Sequence, residues 1–143
     1  MSSAKCPSNI YGIAAAFSGN FEVVRMLLDY YPADINARDR EGFTPLFWAS
    51  EGRYFKGGSV IRLLLEHGID INVQNQLSWT PLHLASSNGA LRVVRLLLEH
   101  DAAADVEAKN NVDKTALQIA ADEGHDEVVE LLREHGRSQV ETP

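Results

Sequence analysis

The stretch Thr80–Leu98, TPLHLASSNGALRVVRLLL, decides how the rest of the chain is read. Thr80 is a favoured N-cap because its hydroxyl accepts from an amide that the first helical turn leaves unpaired. Pro81 falls at the first helical position, where a missing N–H costs nothing. A helix therefore starts here, with Leu82, Leu84 and Ala85 on its apolar face. Gly89 can take the left-handed conformation that ends it. Leu91, Val93, Val94, Leu96, Leu97 and Leu98 follow, too many for one stripe, so the second helix must be covered on more than one side. Two helices of this size cannot bury that surface between themselves.

Imperfect copies of the stretch fill the chain. Thr44-Pro45-Leu46 and Thr115-Ala116-Leu117 repeat the opening 36 residues before and 35 residues after Thr80. Gly19 and Gly124 match Gly89, while Met26-Leu27-Leu28, Leu63-Leu64-Leu65 and Leu131-Leu132-Arg133 match Leu96-Leu97-Leu98. A period of about 33 to 36 residues signals stacked helical repeats. On these residues the sequence resembles the ankyrin repeat family, whose unit opens T-P-L-H-x-A. TPLHLA matches fully, TPLFWA and TALQIA match in part, and IYGIAA in the first unit departs. The resemblance implies an all-α solenoid of four helix-turn-helix units joined by short β-hairpin fingers, with a concave binding face made of fingers and inner helices. The units fall at about 9–41, 42–77, 78–112 and 113–136, with residues 1–8 and 137–143 expected to be disordered. The apolar Ile10 and Tyr11 of the first unit, and the weak echo of a hairpin ending at Val140, keep open an excised part of a longer array.

Composition narrows the function. The 143 residues are 45% hydrophobic, enough for one domain with a continuous core. Thirteen basic against twenty acidic residues give a net charge of −7, the wrong sign for nucleic acid or an anionic membrane surface. Cys6 is the only cysteine, which excludes an internal disulfide and a thiolate zinc cluster. With no leader pattern and no apolar run of about 18 residues, a cytoplasmic or nuclear location is expected.

Alternating segments such as Ile69-Asp70-Ile71-Asn72 lead into polar tips and suit short hairpins. Glu107 replaces the asparagine of the family pattern, and Ser78 and Asp113 stand where the second unit has Gly42, so the third and fourth fingers are expected to be distorted relative to the second. The second unit holds an insertion around Gly52–Gly58, with Gly57-Gly58 read as a flexible return between helices. Its Tyr54 and Phe55 either anchor a partner or fold back onto the stack.

A search for chemistry finds no phosphate-loop, dinucleotide, zincin, hydrolase-elbow or EF-hand motif. His67, His100 and His135 recur at one repeat position, but stacked helices about 8–10 Å apart do not bring ligands to the roughly 2.1 Å that zinc requires. The resemblance makes His83 a structural histidine that hydrogen-bonds to backbone and steadies a finger. Asp122, Glu123, Asp126 and Glu127 with His125 are the nearest approach to an acid–base constellation, yet they span a turn that should be solvated. No enzyme activity, cofactor or metal is expected.

The resemblance implies contacts at the finger tips Arg40, Glu41, Phe43, Gln76, Leu77, Trp79, Asn111, Val112 and Lys114. At the inner-helix ends it implies Phe17, Ser18, Glu51, Ser87, Asn88, Asp122 and Glu123. Phe43 and Trp79 are the expected anchors, with packing between fingers as the alternative, whereas Phe47 and Trp48 are assigned to the core. The expected function is that of a monomeric, non-catalytic adaptor binding a protein partner. Inhibition of a partner enzyme in trans is the alternative.

Overall fold

The computed structural model describes residues 21–30, 36, 38, 40–50, 57–100 and 104–141. They form helices α1 (Phe21–Tyr30), α2 (Pro45–Ser50), α3 (Gly57–Glu66), α4 (Pro81–Ser87), α5 (Leu91–Glu99), α6 (Ala116–Asp122) and α7 (Asp126–Glu141). Helices α2, α4 and α6 stack in order as an inner column, and α1, α3, α5 and α7 stack in order as an outer one. Each inner helix packs on the outer helix that follows it. This is the row of like modules that the 35-residue period predicts.

The core lies between the columns. Leu46, Ile61, Leu64, Leu82, Val94, Leu97 and Val128 are at most 1% exposed. Burial of each contributes about 1.5–3 kcal/mol. Helix α5 meets its sequence expectation: Val93, Val94, Leu97 and Leu98 are buried and Leu91 and Leu96 half-buried, with α3 on one flank, α7 on the other and α4 inside.

Local chemistry sets the helix limits. In α4 the Thr80 hydroxyl accepts from the His83 amide, and in α6 the Thr115 hydroxyl accepts from the Gln118 amide. The side chains of His83 and Gln118 return the bond to the Thr80 and Thr115 amides, which completes two capping boxes. In the second unit the buried Phe47 occupies that place and its phenyl ring has no acceptor to return the bond, and the buried Thr44 hydroxyl has no hydrogen-bond partner. Helix α4 ends with Gly89 N–H on the Ser86 carbonyl and Ala90 N–H on the Ala85 carbonyl. Gly124 and His125 repeat the pattern on Ala121 and Ala120. These are paired C-terminal bonds around a left-handed glycine.

Three expectations change. Gly57 and Gly58 are the first residues of α3 rather than a flexible return. Two glycines cost only about 1 kcal/mol each in a helix, which the buried Val60, Ile61, Leu63, Leu64 and Leu65 offset. Helix α7 runs to Glu141, beyond the expected end of the last unit at 136, through a stretch from Asp126 that holds no helix-breaking proline. No strand occurs among the described residues, so the fingers are tight turns rather than β-hairpins. Residues 1–20, with the first inner helix, lie outside the described residues, as do 51–56 of the insertion and 101–103 of the third unit.

Gly89 has φ +68°, and a Cβ there would lie 2.6 Å from the His125 ring, whereas a Cβ on Gly124, φ +78°, meets nothing within 4 Å. Gly124→Ala should cost about 1 kcal/mol from backbone strain alone, and Gly89→Ala at least twice that in urea unfolding. Adding His125→Ala should remove most of the difference, and equal costs for the two glycines would refute the close approach. Thr80→Val should cost about 1 kcal/mol as a lost cap. Thr44→Val should stay within about 0.5 kcal/mol of wild type, since its hydroxyl has no bond to lose.

Candidate functional site

The third and fourth fingers are each closed by one asparagine. The Asn75 N–H donates to the Trp79 carbonyl at 3.0 Å, while the Asn75 Oδ1 accepts from the amides of Leu77 at 2.9 Å and Trp79 at 3.0 Å. Asn110 does the same for Lys114 and Val112, with its N–H on the Lys114 carbonyl at 3.0 Å. The side chain takes the amides that a second hairpin rung would have taken, which is why no ladder forms. Ser78 and Asp113 both have φ 63°, close to the 84° of Gly42. The expected distortion of the third and fourth fingers is thus absent: serine and aspartate adopt the left-handed turn that glycine adopts in the second, held there by the asparagine. Asp and Asn tolerate this conformation better than most residues, and Ser78 bears its cost of about 1–2 kcal/mol.

Neighbouring fingers are joined backbone to backbone. The Gln76 N–H donates to the Glu41 carbonyl at 3.2 Å and the Asn111 N–H to the Leu77 carbonyl at 3.0 Å. The Gln76 side-chain amide also donates to the Arg40 carbonyl. Deeper in, Asn36 Oδ1 accepts from the Asp70 amide at 3.0 Å and Asn72 Oδ1 from the Asp105 amide at 2.7 Å. Glu107 stands at the next place in that series.

On this frame Arg40, Glu41, Leu77, Val112 and Lys114 are exposed in a row of tips. Leu77 is 55% and Val112 61% exposed, large values for apolar side chains on consecutive fingers. The two expected anchors are more withdrawn. Phe43 is half-buried, stacked on Phe47 with centroids 5.1 Å apart and edge-on to Trp48 at the same distance. Trp79 is half-buried and tilted against His83 at 6.0 Å. Both rings therefore pack on the inner helix of their own unit. Phe47 is buried, as assigned, while Trp48 is half-buried.

At the inner-helix ends, Asn88, Asp122 and Glu123 are exposed and Ser87 is half-buried. Asp122 is paired with Lys114 of the finger above it, so one expected acidic contact and one expected basic contact neutralise each other. His125, which the sequence grouped with the carboxylates, bonds instead through Nε2 to the Ser87 carbonyl at 2.9 Å and so ties the third unit to the fourth. Its place directly after Gly124 was the available signal. Phe17, Ser18, Glu51, Tyr54 and Phe55 lie outside the described residues. Among the described residues no three His, Cys, Asp or Glu side chains gather to hold a metal ion, and no helix is long and apolar enough to cross a membrane.

His83 couples the inner column to the fingers. Its Nδ1 accepts from the Thr80 N–H at 3.1 Å, which places the proton on Nε2, and Nε2–H donates to the Lys114 carbonyl at 3.0 Å. Burial lowers its pKa from 6.5, and the carbonyl bond to Lys114 opposes the shift only in part. Protonation would put hydrogen on Nδ1 and expel the Thr80 amide. The histidine binds more protons unfolded than folded, so its contribution to stability is complete above 6.5 and is lost as the pH falls from there through the folded value. His83→Gln copies the cap of the fourth unit without titrating. Its melting temperature should fall less than that of wild type between about pH 7.5 and pH 5, and parallel curves would refute the assignment.

The family model described as "Ankyrin repeats (3 copies)" matches residues 9–75 and 55–142. An ankyrin repeat and KH domain-containing protein of Caenorhabditis briggsae is 38% identical over 93 residues, 64% of this chain and 3% of that protein. A putative ankyrin repeat protein of fowlpox virus is 50% identical over 52 residues, 36% of this chain and 10% of the viral one. A probable 26S proteasome regulatory subunit of Saccharomyces cerevisiae is 34% identical over 80 residues, 55% of this chain and 34% of that subunit. The chain thus spans between 3% and 34% of the length of these relatives. Ankyrin repeats mediate protein–protein interaction. Stacked helix pairs, capped by Thr-Pro or Thr-Ala openings and tied at their finger turns, make this chain a member of the ankyrin repeat family.

Proposed function

We propose that the chain is a non-catalytic adaptor that binds a protein partner on the face made by its finger turns and inner helices. The observation that carries this reading is the pair Leu77 and Val112, apolar and more than half exposed on adjacent tips whose backbones are already fixed by hydrogen bonds. A surface of this kind loses little ordering entropy on association, so more of the contact energy appears as affinity. Phe43 and Trp79 hold the inner helices beneath the tips and serve the site by positioning. A partner covering about 800 Å² of this face would form an interface of ordinary size. The working state is a monomer, placed in the cytosol or nucleus. When the partner is an enzyme, the same contact takes the form of inhibition in trans.

Affinity capture from native lysate with wild type and with a Leu77→Ser, Val112→Ser variant of unchanged helicity tests the reading. The variant should recover the specific partner at least about tenfold less well, as expected for loss of apolar contacts worth about 1.4 kcal/mol or more. Equal recovery by both proteins would reject the tips as the site.

A further inference from the structure

On the opposite, outer side of the stack an open groove of about 320 Å³ runs between α5 and α7, with Leu91, Arg95, Glu127, Glu130, Leu131 and Glu134 along it. Its floor is apolar, formed by the half-buried Leu91 and Leu131. The charges on its walls come from a change of sign along the repeat. The position held by Arg25, Arg62 and Arg95 in successive outer helices is Glu130 in the last, and the position of Arg92 becomes Glu127. With Asp126 at its mouth, the groove sets four carboxylates against one guanidinium.

Helix electrostatics accounts for only half of this. Asp126 and Glu127 lie in the first turn of α7, where negative charge favours the helix. Glu130 and Glu134 lie one and two turns further on, beyond the reach of that effect. Glu130 approaches Arg133 at 3.7 Å, and among the described residues Glu127, Glu134 and Arg95 form no ion pair.

We propose that this groove receives a basic amphipathic helix of a partner protein. Its apolar stripe would rest on Leu91 and Leu131. Lysine or arginine stems would extend over the leucines and carry their charges to Glu127 and Glu134. Those two glutamates are separated by two helical turns, about 10.5 Å, the rise between residues i and i+7 of a helix laid alongside. The charge of the groove favours a cationic occupant over a second copy of this chain, which would approach with a net charge of −7. The site is separate from the finger tips, so it stands or falls independently of the function proposed above.

The test is fluorescence anisotropy with a labelled helical peptide of leucine and lysine in i, i+3, i+4, i+7 register. A peptide of the same composition, scrambled to remove the apolar stripe, serves as control. The amphipathic peptide should bind in a salt-sensitive manner and at least about tenfold more tightly than the scrambled one. Glu127→Lys, Glu134→Lys should abolish binding, Glu127→Gln, Glu134→Gln should weaken it several-fold, and Leu77→Ser, Val112→Ser should leave it unchanged. Helicity by circular dichroism checks each variant, and the glutamine pair serves if the lysine pair unfolds. No saturable binding up to about 1 mM peptide, equal binding of both peptides, or full binding by the glutamine pair would each overturn the proposal.

Discussion

A helix pair with apolar residues on more than one side cannot hide them without another pair beside it, and the whole architecture follows from that deficit. Val94 and Leu97 are buried only because α3 and α7 flank α5 while α4 closes it from within. Since each pair is covered by its neighbours, the distance between pairs is fixed by side-chain packing. Every feature at the rims must then repeat at that pitch. The polar bonds between units, His83 to the Lys114 carbonyl, His125 to the Ser87 carbonyl and Asn72 to the Asp105 amide, fix the relative rotation that a non-directional apolar contact leaves loose.

The second unit solves the same problem with different chemistry. Where the third places a histidine that reaches across to the next finger, the second has Phe47, buried beneath Phe43 and beside Trp48. An aromatic stack stands where the third unit has a hydrogen-bonded tie, and the buried Thr44 hydroxyl beside it has no partner. At this one position buried aromatic area takes the place of a side-chain tie, while backbone bonds between the fingers remain and the inner helices still stack in line.

Much of the architecture was legible because it rests on local signals. TPLHLA carries its own cap, its own apolar face and a glycine stop at Gly89, and each appears where the sequence put it. What escaped depends on bonds made elsewhere. Ser78 and Asp113 look like poor substitutes for glycine until Asn75 and Asn110 are seen to hold the turns, and side-chain acceptance of two amides is invisible to a hydropathy pattern. Gly57 and Gly58 read as a loop because glycine has low helix propensity, and the buried residues after them that hold the helix act through tertiary packing. Within the candidate site, Leu77 and Val112 lie exposed among the tips. Of the two roles open to Phe43 and Trp79, anchoring or packing, the structure displays ring contacts with Phe47 and His83, neighbours that a hydropathy pattern does not reveal.

The way the fingers close carries a further consequence. Because Asn75 and Asn110 supply the acceptors that shape the third and fourth loops, the exposed Leu77 and Val112 side chains at the apex are not what sets their conformation. Apex chemistry is therefore free to drift while the scaffold beneath remains the same, so new binding preferences can be acquired one side chain at a time without a toll on folding.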